Sequence, residues 1–439
     1  MIFWKIAFRN VKKNWRHSLS ALLSISASFV SLVLFDGYID DLKWMYEDSF
    51  RHRSMLGDFI IEKPEVHSKA GLAEPWKFLI TEDEQKAIDA YFRKRGDEVK
   101  NRVRFVNFSG TITNGMQSTI FIGRGIDVKE GERVRGKNWS WNTTYGKPIH
   151  LSDAPATALL GHGLARKMGC TWVKPENFYV FSGGYEPLER PFDCPTKDLQ
   201  LSTMTAAGQL NAIDVNVIGL MDAGYRDIDD RYFATSIETA QTLTNSRDVN
   251  MITVELADGV NRSRFMEDFN SAFKDIIPGL KMMTWLDHPI GETYLRSLDI
   301  LSVFRNFVVI VILVISVLSV INTLIKIIKE RNREIGTLRS IGFNPQQVVT
   351  MFIYETFLLA LVGIAIGVAI AVILTFALNG LHIRYKAGML SEPVLFKISV
   401  DILGYVRAFA VLIFVSLLAC LYSTRQELRK KVVENFSHV

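Results

Sequence analysis

The chain has 439 residues, 48% hydrophobic and 22% charged, with a formal net charge of +5 and a mean hydropathy of +0.14. So modest a charge, with no block of about five or six like charges, excludes a nucleic-acid tail. The averages conceal an uneven layout: long uncharged runs lie near the N-terminus and in the last third, and the middle reads as mixed globular sequence.

Residues 1–17 predict an amphipathic interfacial helix. Lys5, Arg9, Lys12 and Arg16 share one face, and Phe3, Trp4, Ala7, Phe8, Val11 and Trp15 the other. Four segments reach the length of about 20 apolar residues that a hydrocarbon core demands: 18–39, 301–328, 347–378 and 402–424. The first is expected to be retained rather than cleaved, because it continues as "DGYIDDLKWMYEDSF" with no A-x-A-like site. Basic residues cluster in three places: Lys5 to Arg16, Lys326 to Arg339, and Arg425 to Lys431. The positive-inside rule puts all three in the cytoplasm. The expected topology has both termini inside a multi-pass inner (cytoplasmic) membrane protein. A large external domain spans 40–300, a cytoplasmic helix 329–346, a short external loop 379–401, and a cytoplasmic tail 425–439.

The external region alternates strand and helix signals. "GTITNGMQSTIFIG" (110–123) predicts a hairpin with Asn114-Gly115 as a type I′ turn. "LQLSTMT", "AIDVNVIGLMD", "MITVEL" and "LKMMTWL" read as strands. "TSIETAQTLT" reads as a helix opened by a capping box from Thr235 to Glu238, and "NRSRFMEDFNSAFKDI" as another helix. The expected fold class is an α-helical membrane protein with four transmembrane helices plus a large extracytoplasmic α+β domain, in two lobes. Cys170 and Cys194 fall in this domain and Cys420 in the fourth span. In an oxidising compartment the first two either form a disulfide or are buried apart.

Catalytic and metal patterns are weak. "GERVRGKN" (131–138) has phosphate-loop spacing, but Asn138 stands where Ser or Thr is required, so a basic surface loop is expected. Asp227, Asp229 and Asp230 lack the glycine and distal glutamate of a calcium loop. His162 has no second histidine at i+4, Asp36 is expected to be a solvated cap, and no metal site is expected. Ser20, Ser24 and Ser28 recur at i+4, and Gly363 and Gly367 form G-x-x-x-G; both patterns predict close helix packing. No span carries a central charge, which argues against an ion channel or a proton relay.

The most informative stretch is "ERNREIGTLRSIGFNPQQVV" (330–349), a polar helix between two spans. Its apolar residues Ile335, Leu338 and Ile341 form a stripe that predicts a docking surface. Gly342 suits a left-handed C-cap, Pro345 suits the first position of the next helix, and Glu355 is either a solvated terminus or a partner for the basic linker.

"REIGTLRSIGFNPQQVVTMFIYETFLLALVGIAIGVAI" resembles the FtsX-like permease family of ABC transporters, of the MacB and LolC/LolE type. "AFRNVKKNWRHSLSALLSIS", "GHGLARKMG" and "VNVIGLMDAGYRDIDDRYFATSIETAQTLT" extend the resemblance over most of the chain. The resemblance implies a MacB-like periplasmic core and a coupling helix docked on an ATPase, carried here by Arg333, Glu334, Ile335, Gly336, Leu338, Arg339, Ile341, Gly342 and Phe343. It implies a cytoplasmic ABC ATPase dimer that binds ATP and Mg on another chain, as in the split arrangement, leaving this chain non-catalytic and without a cofactor of its own. It further implies a second permease, identical or paralogous. A periplasmic carrier or adaptor, and a lipid, lipoprotein or peptide substrate, complete the expected partners. The alternative is an FtsX-like regulator of a periplasmic cell-wall hydrolase that moves no substrate.

Overall fold

The computed structural model describes residues 9, 15–135, 142–152, 154–173, 190–205, 207–223, 226–385 and 394–428. In chain order the elements are α1 (Trp15–Asp48), β1 (Phe59–Glu62), α2 (Lys69–Ala73), α3 (Glu82–Lys94), β2 (Val99–Thr113), β3 (Ser118–Ile126), α4 (Val128–Arg135), β4 (Thr143–Gly146), β5 (Thr157–Gly161) and α5 (His162–Lys167). They continue with β6 (Asp198–Met204), β7 (Leu210–Met221), α6 (Arg226–Asp229), β8 (Tyr232–Ser236), α7 (Ile237–Thr244), β9 (Met251–Leu256), α8 (Arg262–Phe273) and β10 (Lys281–Thr284). The last are α9 (Pro289–Glu330), α10 (Asn332–Ser340), α11 (Pro345–Gly380), the short β11 (Arg384–Tyr385) and β12 (Val394–Leu395), and α12 (Ile402–Leu428). The interfacial helix expected over 1–17 falls largely outside the described residues.

The chain divides into two compact units. The helical unit comprises residues 1–43, 297–383 and 396–439. Among the described residues, four helices are long and apolar enough to cross a membrane: 19–53, 289–330, 345–380 and 402–426. At 1.5 Å per residue, the 42 residues of α9 extend about 63 Å, twice a hydrocarbon core of ~30 Å. α9 and α1 therefore run well beyond the apolar segments that the sequence marks, whereas α11 and α12 nearly coincide with theirs. Large apolar side chains such as Phe307, Phe376 and Phe414 stay exposed on their outer faces, as lipid-facing positions do.

Inside the helical unit, packing depends on small residues and polar pairs. A Cβ on Gly363 would lie 3.2 Å from the Ile25 Cβ, and one on Gly367 would lie 3.1 Å from the Phe29 Cβ. The glycine pair thus packs on the Ile25, Ser26 and Phe29 side of α1, with Ser26 Oγ donating to the Gly363 carbonyl at 2.6 Å. Of the predicted serine row, Ser20 Oγ lies 3.3 Å from Thr323 Oγ1 of α9, Ser28 is buried, and Ser24 is half-buried. Asp36 does not stand as a solvated cap: its carboxylate accepts two bonds from Arg305, at 2.8 and 3.0 Å. An acid and a base at the edges of the apolar stretches of two neighbouring helices lose less by pairing than by separate solvation.

The sheet unit comprises residues 44–296 and 384–395. Among the described residues, ten strands join one sheet in the order β10-β1-β9-β2-β3-β8-β5-β7-β4, with β6 bridging β2 and β7. The two lobes expected from sequence therefore share one sheet. Pairing is mostly antiparallel, with β3–β8 and β5–β7 parallel. β1 and β9 are buried along their whole length, the polar Glu62, Thr253 and Glu255 included. The core is rich in aromatics: Phe59, Phe92, Phe121, Phe233, Phe265, Phe269 and Phe273 are all buried.

Several local expectations shift. The β2–β3 connection is a four-residue loop, because Thr113 pairs with Ser118. Among its residues only Gly115 has positive φ, so the turn is not type I′. Asn114 instead uses its side-chain oxygen to accept from the Met116 and Gln117 amides. The helix expected to be capped by Thr235 is capped one residue later, by Ser236; Thr235 belongs to β8 and donates to the Thr157 carbonyl at 2.7 Å. Residues 131–135 of the phosphate-loop lookalike are helical, within α4, rather than loop; its remainder lies outside the described residues. Cys170 and Cys194 form a disulfide.

Candidate functional site

Glu330 ends α9, and α10 begins two residues later. The break between them is one residue wide. Arg331 adopts φ −103 and ψ 11, while its amide still donates to the Ile327 and Ile328 carbonyls. Its own carbonyl accepts from the Ile335 amide, so the hydrogen-bond ladder passes nearly unbroken from α9 into α10.

The Arg331 side chain turns inward. Its Nη1 donates to both oxygens of Glu355 at 2.9 and 3.0 Å, and its Nε donates to Glu334 at 2.9 Å. The guanidinium lies 5.5 Å from the Phe352 ring centroid. Burial alone would lower the Arg331 pKa; the charges of Glu355 and Glu334, with their hydrogen bonds, hold it above its ordinary value. Glu355 is buried and partnered, the second of the two roles open to it from sequence. One side chain thus ties the end of α9 to α10 and α11.

The direction of the apolar stripe differs from the expectation. Ile335 is 3% exposed and packs with Val320, Leu324, Ile327, Ile328, Val348 and Phe352 inside the helical unit. Gly336 is buried, and Leu338 and Phe343 are half-buried against the same cluster. The stripe therefore holds α10 to its own unit. Arg333, Glu334, Thr337, Ser340 and Ile341 form the exposed face, with Arg339 half-buried at its edge. Ile341, at 73% exposed, is the apolar member of that face.

The far end is equally defined. Gly342 has φ +101, a conformation that a side chain would strain, and its amide donates to the Arg339 carbonyl. The Phe343 amide donates to Leu338. Asn344 then caps α11: its side chain accepts from Gln346 N, and its amide donates to Gln347 Oε1, with Pro345 at the first helical position.

The remaining polar candidates are packed structure. His162 is buried, bonded to Thr144 Oγ1 and stacked on Trp172. Asp229 accepts from the Gly163 and Ala223 amides, and burial pushes its pKa up. Asp230 faces Lys167 at 3.4 Å. The Asp227 side chain lies outside the described residues. Arg331 itself is absent from the expected site; the signal that marks it is a basic residue two positions before "REIG", with an acid 24 positions on.

One comparison with known proteins falls on the same segment. The family model described as FtsX-like permease C-terminal matches residues 306–432. A macrolide export ATP-binding/permease protein MacB from Campylobacter fetus is 29% identical over 147 residues, 34% of this chain and 23% of that protein. Its counterpart from Salmonella paratyphi A is 27% identical over 131 residues, 30% of this chain and 20% of that protein. The chain thus aligns to no more than about a quarter of the length of these relatives. The periplasmic region of MacB from Actinobacillus actinomycetemcomitans aligns with 55% of this chain and 92% of that one, at 12% identity and a TM-score of 0.33. Over residues 306–432, which contain α10 and the Arg331–Glu355 clamp, the chain carries an FtsX-like permease C-terminal region.

Proposed function

We propose that this chain is the permease subunit of a mechanotransmission ABC transporter. ATP hydrolysis on a separate cytoplasmic ATPase dimer acts on α10, and the motion serves export or extraction of a lipoprotein, lipid or peptide outside the cytoplasm. The chain works beside a second permease in the inner membrane, with both termini cytoplasmic and the sheet unit in the periplasm, where it meets a carrier or adaptor.

The observation that carries this reading is the division of labour on α10. Its inner face is clamped by Arg331 and Ile335, so a force on its outer face is delivered to α9 and α11 rather than lost in a loose linker. Its outer face, Arg333, Glu334, Thr337 and Ile341, remains open to a partner.

The test uses full-length protein purified with the ABC ATPase co-expressed with it. Ile341→Asp changes an exposed side chain and leaves the core intact, so the thermal midpoint should stay put while recovered ATPase and its activity fall at least about tenfold, as for loss of a central interface anchor. Undiminished association and activity would overturn the docking role.

A further inference from the structure

Glu62 closes β1, His67 closes the one-turn 3-10 helix Pro64–His67, and His288 immediately precedes Pro289 of α9. All three belong to the sheet unit. Both imidazoles bring Nε2 to the same carboxylate oxygen: His67 Nε2 is 2.7 Å and His288 Nε2 3.0 Å from Glu62 Oε1. The rings meet edge to face at 5.0 Å, and the three donor atoms lie within 4.8 Å of one another. Glu62 and His288 are buried. His67 opens onto a cleft of about 370 Å³ that is also lined by Asn107, Asn250 and Met251.

Hydrogen bonding accounts for only part of this arrangement. The His67 contact is a well-formed hydrogen bond. The His288 contact is not: Nε2 lies close to the carboxylate but off the bonding direction, with no hydrogen-bond partner among the described residues. A polar atom in a side chain only 2% exposed is costly to leave in that state. A cation placed where the three donors converge engages all of them.

We propose that Glu62, His67 and His288 form a binding site for a divalent transition-metal cation of the zinc class, with the cleft supplying an open position for water or a further ligand. Two imidazoles and one carboxylate are the donors such a cation takes, whereas calcium and magnesium favour all-oxygen sets. The proton balance has a structural consequence. His288 Nδ1 accepts from the Ile290 amide at 3.0 Å, so the proton of the neutral ring sits on Nε2. Metal on Nε2 moves that proton to Nδ1, which then cannot accept from Ile290. Occupancy therefore releases the cap on the first turn of α9, a small loss beside the affinity of three protein ligands. The site links metal binding to the start of the helix that continues as the second candidate span.

The experiment uses the full chain in detergent, stripped with chelator and then equilibrated with Zn²⁺, or with Co²⁺ for its visible absorption. The wild type should hold about one zinc per chain and give the intense cobalt bands of a four-coordinate site. His67→Gln and Glu62→Gln should each weaken binding at least tenfold. Because His67 is partly exposed, His67→Gln should leave the thermal midpoint of the metal-free protein unchanged, which separates lost ligation from lost folding. In the wild type, zinc should also speed hydrogen exchange at the Ile290 amide. Absence of stoichiometric zinc in the wild type, or equal zinc in wild type and His67→Gln, overturns the site. Unchanged exchange at Ile290 overturns its link to α9.

Discussion

The two units apply one rule of burial in two solvents. The sheet unit hides its aromatics: Phe233 and Phe269 are fully buried, and Phe269 touches Tyr91, Phe92 and Phe273 at ring separations of 4.6 to 5.8 Å. The helical unit displays comparable side chains along its outer faces and buries what is scarce there: a bidentate ion pair, a serine on a carbonyl, and two glycines against α1. Water drives apolar groups together in the first case. Lipid offers no such drive in the second, so close approach and polar pairing must hold the helices.

That contrast can be broken by substitution. The largest effect is expected in the sheet unit, where Phe269→Ala leaves a cavity in an aromatic cluster and costs about 4 kcal/mol. Chemical unfolding followed by tryptophan fluorescence would register it; a loss below about 1 kcal/mol would mean that the cluster collapses around the gap. In the helical unit, Glu355→Ala leaves Arg331 buried without its bidentate partner and should cost about 3 kcal/mol. The double change Arg331→Met with Glu355→Leu should recover most of that loss, read as the thermal midpoint in detergent. Failure of the double variant to recover would show that the pair does more than satisfy its own charges. The smallest effect is expected at Gly363→Ala, where the new methyl group presses on Ile25 and costs about 1 kcal/mol. A gain in stability there would mean that the α1–α11 contact has room to spare.

Much of the architecture is legible in the sequence because it is local. "MITVEL" is β9 residue for residue, Pro345 opens α11, and Gly342 is a left-handed cap. Four apolar runs are four long helices. Contacts between distant residues are not legible in the same way. Asp36 and Arg305 are 269 positions apart, and nothing in either neighbourhood points to the other. Glu62 and His67 are close in sequence but meet His288 only because the fold brings β1 beside the start of α9, so no spacing motif reveals the triad. The stripe on α10 teaches a different lesson. Periodicity shows that the helix has an apolar face; it does not say what covers that face. Here α9 and α11 already do, through Ile335, which leaves the polar side outermost. The cap at Ser236 rather than Thr235 is a smaller case: both hydroxyls are suitable, and β8 claims the first.

The disulfide between Cys170 and Cys194 also changes the covalent topology of the chain. It makes the intervening segment a closed ring hung on the sheet unit rather than a stretch of the path between β5 and β6. A protease that cuts within the ring opens it without dividing the polypeptide, and two fragments part only when the sulfur bridge is reduced. The connection between the first and last spans therefore does not depend on the integrity of the peptide bonds inside that ring.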